Sequence, residues 1–168
     1  MISEDSKIRR LIPRVFVLLR NLNQLRRTLR LPGAAAGSLA IRHVDAGSCN
    51  GCEHELGAVA SPFYDLARYG ISVTASPRHA DVLVVTGPVT RHMCEPLLRA
   101  YEAMPEPRLV AALGDCPLRR HVVADPADLG PPLEALLPVA VRIPGCPPTP
   151  SQIIAGLEPL LAGSPPAN

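Results

Sequence analysis

Four cysteines are placed where they can act together. Cys49 and Cys52 form C-N-G-C, and Cys116 and Cys146 stand alone, each directly before a proline. The first pair follows the strand-like I-R-H-V-D at 41–45. Cys116 follows R-L-V-A-A-L-G-D at 108–115, and Cys146 follows V-A-V-R-I-P-G at 139–145. Each thiol therefore comes just after an apolar run that reads as a strand. Four thiolates are what a cubane iron–sulfur cluster needs, one per iron. Gly51 is expected to let the chain bend between the first two, and Gly47, Gly114 and Gly145 to permit close approach elsewhere.

Zinc is the alternative for four cysteines that include one C-x-x-C. Structural zinc usually draws on two paired knuckles, whereas the third and fourth thiols here are single and far apart. The fifth cysteine, Cys94, is expected in mid-helix with Leu97, Leu98 and Tyr101 at helical spacing. A cysteine so placed acts as a small hydrophobe, and it is left out of the site. His54, between Glu53 and Glu55, is a weaker candidate for coupling protonation to redox chemistry. No G-x-S-x-G, G-x-G-x-x-G or P-loop pattern occurs, so neither a serine nucleophile nor a nucleotide is suggested.

The elements that must deliver these thiols alternate. Strands are expected at 41–45, 71–75, 81–87, 108–115 and 139–145. Helices are expected within 51–60, at D-L-A-R-Y before Gly70, over 89–104 with a kink at Pro96, and at S-Q-I-I-A-G-L-E-P-L-L. Residues 116–138 read as irregular, with one turn at L-E-A-L-L. D-V-L-V-V-T-G is apolar throughout most of its length, as a strand buried on both faces should be. This is the βαβ rhythm of an open parallel α/β sheet with helices on both faces. Ligands of such sheets gather at the carboxyl ends of the strands, where all four thiols would lie.

Composition sets outer limits. The chain has 168 residues, 47% of them hydrophobic and 19% charged, which suits one globular domain. A net charge of +2 and an aromatic content of 3% do not point to nucleic acid. Arg9, Arg10, Arg14, Arg20, Arg26, Arg27 and Arg30 crowd the first thirty residues, interleaved with Leu11, Val15, Leu18, Leu19, Leu22 and Leu25. Residues 1–30 are thus expected to be a basic amphipathic helical arm, 31–38 a linker, 39–163 the cysteine-bearing domain and 164–168 a tail. Pro13 and Arg14 interrupt the longest apolar run, so neither a membrane span nor a secretory signal is expected. Reduced thiols then imply the cytoplasm, with the arm at the cytoplasmic side of the cell membrane.

Six blocks carry a family resemblance: D-A-G-S-C-N-G-C-E, Y-D-L-A-R-Y-G-I, S-P-R-H-A-D-V-L-V-V-T-G-P-V-T, M-P-E-P-R-L-V, G-D-C and P-G-C-P-P-T-P. In this order they resemble the 20 kDa subunit of complex I, the NADH–quinone oxidoreductase, and the small subunits of nickel–iron hydrogenases. The resemblance spans about residues 39–160. It implies a flavodoxin-like domain with one 4Fe–4S cluster on Cys49, Cys52, Cys116 and Cys146. It also implies docking on a large subunit of hydrogenase or complex I 49 kDa type, beside other iron–sulfur subunits and membrane subunits. The complex I pattern has a tandem C-C at the first pair. The spaced C-N-G-C-E, and the lack of any cysteine after Cys146, look like the membrane-associated energy-converting hydrogenases and the formate hydrogenlyase group. C-P-L-R-R-H-V-V-A-D-P departs from the family, which has small residues there.

The function implied is that of a non-catalytic electron-transfer subunit of an oxidoreductase complex. One alternative is a complex I-like subunit that helps line a quinone site. The alternative of another class is a zinc-stabilised interaction module.

Overall fold

The computed structural model describes residues 37–118 and 125–161. The chain divides into two units, Met1–Ala35 and Ala36–Asn168. The basic arm expected over 1–30, most of the 31–38 linker, the divergent stretch at 119–124 and the 164–168 tail lie outside the described residues.

Five strands form one sheet: β1 (Leu39–Asp45), β2 (Ile71–Val73), β3 (Val82–Thr86), β4 (Leu109–Leu113) and β5 (Val141–Ile143). Their order is β2-β1-β3-β4-β5 and every pairing is parallel. This is the flavodoxin-like order, in which the winding direction reverses between β1 and β3. Among the described residues, four helices cover it: α1 (Gly51–Val59), α2 (Cys94–Glu102), the single turn α3 (Leu133–Leu136) and α4 (Pro150–Leu161).

The central strands show why the sheet needs both layers. Val82 and Val84 of β3 pack into one apolar cluster, while Leu83 and Val85 pack into the other, and all four are fully buried. Successive strand residues point to opposite faces, so an unbroken apolar strand must be covered twice. One cluster is completed by Leu56 and Val59 of α1 and by Ile153, Leu157 and Leu160 of α4. Leu97 of α2, Leu133 and Leu137 complete the other. Truncating a fully buried residue such as Ile153 to alanine removes about 2–5 kcal/mol.

The helix ends depart from expectation in instructive ways. Pro96 lies in the first turn of α2. Amide groups there have no acceptor within the helix, so the mid-helix kink expected at Pro96 has no cause. D-L-A-R-Y forms a 3-10 turn, Leu66–Tyr69, closed by Gly70 at φ 77°. Thr149 and Gln152 cap α4 reciprocally: the Thr149 amide donates to Gln152 Oε1 at 2.8 Å, and the Gln152 amide to Thr149 Oγ1 at 3.4 Å. No helix among the described residues is long and apolar enough to cross a membrane.

Candidate metal centre

The four candidate thiols all follow strand ends at the same edge of the sheet. Cys49 lies in the loop after β1, and Cys52 is the second residue of α1. Cys116 opens a 3-10 turn after β4, and Cys146 follows β5. Cys52, Leu56 and Val59 form the buried stripe of α1, so Cys52 faces inward. Cys116 is half-buried, and Cys49 and Cys146 are exposed.

The turn between the first pair is made by Asn50, not by Gly51 as expected. Asn50 adopts φ 71° as the N-cap residue, and Gly51 begins the helix with ordinary geometry. Asparagine tolerates the left-handed region better than other non-glycine residues, so the glycine is not needed for the bend. Asp45 shapes the preceding loop, accepting from the amides of Gly47 at 2.8 Å and Ser48 at 2.7 Å. The other two loops are tied to each other. The Asp115 amide donates to the Gly145 carbonyl at 3.0 Å, and the Gly145 amide donates to Asp115 Oδ1 at 3.1 Å.

Electrostatics show that the sulfurs share one neighbourhood. Burial, followed by the charge of Glu53 and then those of Cys116, Cys49 and Cys146, pushes the Cys52 thiol up to about 12. Burial also pushes Cys116 up, with Cys146 and Cys49 adding to it. With Cys52 and Cys116 both raised by burial and by neighbouring thiols, ionising the two together is unfavourable without positive charge nearby. A bound cationic metal centre would supply that charge, and four sulfur donors would suit a cubane of iron. Among the described residues, no three His, Cys, Asp or Glu side chains are grouped as a site for a single metal ion.

Cys94 is not in mid-helix. It is the first residue of α2, half-buried against the cluster on that face, and its thiol donates to the Thr90 carbonyl at 3.3 Å. Its reading as a packing residue holds; its position does not. His54 is exposed, with Nε2 3.3 Å from Asn50 Nδ2.

A polar cluster beside Cys52 escaped the sequence reading. The Thr86 hydroxyl donates to Glu53 Oε1, and His43 Nε2 lies 2.8 Å from Thr86 Oγ1 and 3.4 Å from Glu53 Oε1. Burial pushes the His43 imidazole down, outweighing the upward pull of Glu53 and Asp45. Thr86 at the end of an otherwise apolar strand was the available signal.

Comparison with known proteins places this geometry in context. The family model described as NADH ubiquinone oxidoreductase, 20 Kd subunit, matches residues 49–160. The chain is 45% identical over 115 residues to the probable membrane-bound hydrogenase subunit mbhJ of Pyrococcus furiosus, covering 68% of this chain and 69% of the relative. It is 44% identical over 119 residues to formate hydrogenlyase subunit 7 of Escherichia coli, covering 71% of this chain and 47% of that one. The chain thus spans about half the length of that second relative. A chain of the membrane-bound sulfane sulfur reductase, an archaeal respiratory membrane complex, superposes with a TM-score of 0.63 at 32% identity, covering 76% of this chain and 72% of that one.

Proposed function

The chain belongs to the NADH ubiquinone oxidoreductase 20 kDa subunit family, and from that premise we propose that it is an electron-relay subunit of a multisubunit oxidoreductase complex. Its cofactor in this reading is one 4Fe–4S cluster on Cys49, Cys52, Cys116 and Cys146. The observation that carries the reading is the placement of these four thiols after three parallel strands at one sheet edge.

Bound there, the cluster would supply reversible one-electron chemistry. The protein's share is to hold and shield it. Cys52 and the apolar stripe of α1 close the inner side against the core. The Asp115–Gly145 pairing fixes the Cys116 and Cys146 loops relative to each other. Cys49 and Cys146 lie on the outer side, where a large subunit would cover them. In this reading the substrate chemistry belongs to that partner.

A hydrogenase-type assembly is favoured over a complex I-type one by the spaced C-N-G-C-E and by the names of the two relatives. The partners are then a hydrogenase-like large subunit, further iron–sulfur subunits and membrane subunits. The arginine-rich residues 1–30 would help keep the assembly on the cytoplasmic side of the membrane.

The test is anaerobic purification of the complex through a tag on this chain. The expected result is about four irons and matching sulfide attributable to this subunit. A reducible paramagnetic signal should accompany them and vanish in Cys116→Ser. Zinc in place of iron would overturn the reading in favour of a structural module.

A further inference from the structure

The first cysteine pair brings with it a carboxylate that the ligand set does not use. Glu53 directly follows Cys52 on α1, and its side chain is only 16% exposed. Oε1 accepts the hydroxyl proton of Thr86, which is fully buried. Oε2 is buried and meets no hydrogen-bond partner among the described residues. A threonine hydroxyl has one proton to give; with that proton on Glu53, Thr86 Oγ1 accepts from His43 Nε2–H at 2.8 Å. His43 thus serves as a donor to Thr86, and burial pushes its imidazole down. The network thus orients the carboxylate through the Thr86 hydroxyl.

We propose that Glu53 is a potential-setting residue: a largely buried carboxylate, next to Cys52 in the chain and held by Thr86, which His43 holds in turn, that makes the thiol-bound redox group harder to reduce. The inference rests on the cluster reading above. A fixed negative charge in a poorly screened site opposes the arrival of an electron nearby. The same charge is the largest electrostatic influence on the Cys52 thiol, after burial itself. Local charge is among the factors that set iron–sulfur potentials.

The experiment uses the full chain in its complex, purified anaerobically, with Glu53→Gln and Glu53→Asp beside the wild type. Glutamine keeps an oxygen to accept from Thr86 and removes the charge; aspartate keeps the charge. Iron and sulfide are measured first, then the midpoint potential by redox titration followed by electron paramagnetic resonance. The expected result is full iron in Glu53→Gln with its midpoint shifted upward, and a smaller shift in Glu53→Asp. An unchanged midpoint in the glutamine variant overturns the proposal. So does loss of iron in that variant, since Glu53 would then serve assembly. A wild-type chain without iron would instead remove the cluster reading, and this inference with it.

Discussion

A Cβ on Gly114 would stand 2.6 Å from the sulfur of Cys52. The strand end that precedes Cys116 is thus pressed against the inward-facing thiol of helix α1, with no room for a side chain. Gly114 also adopts φ 87°, where other residues are strained. Gly114→Ala is expected to cost about 1–3 kcal/mol from the backbone alone. It should also push Cys52 away from the other thiols. Denaturant unfolding and iron content of the purified complex check the two effects; a variant as stable and as iron-loaded as the wild type would refute both.

The thiols should differ in reactivity when no metal is bound. The thiolate is the reactive form, and burial plus the Glu53 charge push Cys52 up to about 12. Cys52 therefore stays protonated at neutral pH, and its alkylation should accelerate only as pH climbs toward that value. Cys49 and Cys146 are exposed and should label first. Mass spectrometry of the iron-free chain after brief iodoacetamide treatment, at about pH 7 and about pH 9, reads the order. Equal labelling of Cys52 and Cys49 at neutral pH would contradict it.

Serine substitutions separate candidate ligands from packing cysteines. Cys49→Ser, Cys52→Ser, Cys116→Ser and Cys146→Ser are each expected to lose most of the iron. Cys94→Ser should retain it, because that thiol packs on the opposite face and bonds Thr90. Iron analysis of the five variants gives the answer, and retention in Cys146→Ser would break the four-ligand set.

Acid should act through Asp45. Burial raises its pKa, but the amides of Ser48 and Gly47 and the Ser48 hydroxyl outweigh this and leave it below the ordinary carboxylate value. A group lowered on folding stabilises the folded state above its unfolded pKa. That contribution is lost as pH falls through the folded value. Stability of the wild type should thus drop more steeply than that of Asp45→Asn below about pH 4. Thermal unfolding measured from about pH 6 to about pH 3 checks it; parallel curves would count against the assignment.

Removing residues 1–36 should leave the iron untouched, since every candidate ligand lies beyond them. The truncated complex is expected to leave membranes at moderate salt, as the loss of an arm held partly by arginine contacts would cause. Membrane flotation at increasing salt distinguishes this from an arm that binds only the partner subunit, for which retention would be unchanged.

Periodicity and spacing along the chain were enough to indicate five strands, the helices between them and four thiols placed just after strands. Those signals are local. An unbroken apolar run such as V-L-V-V must be covered on both faces, and parallel strands bring their carboxyl ends to one edge. Hence the α/β class, and the placement of Cys49, Cys52, Cys116 and Cys146 just past strand ends, were readable from the chain alone. The left-handed turn at Asn50, the place of Cys94 at the start of α2 and the harmless position of Pro96 depend on where each helix begins, which propensity marks only loosely. Thr86 stands 33 residues from Glu53 and 43 from His43, and no pattern in the chain links the three. They meet because β1 and β3 pair in register and α1 folds back over the sheet, bringing a buried hydroxyl to a carboxylate largely shielded from water. Polar partnerships across a sheet are fixed by that register, so only the tertiary structure could decide them.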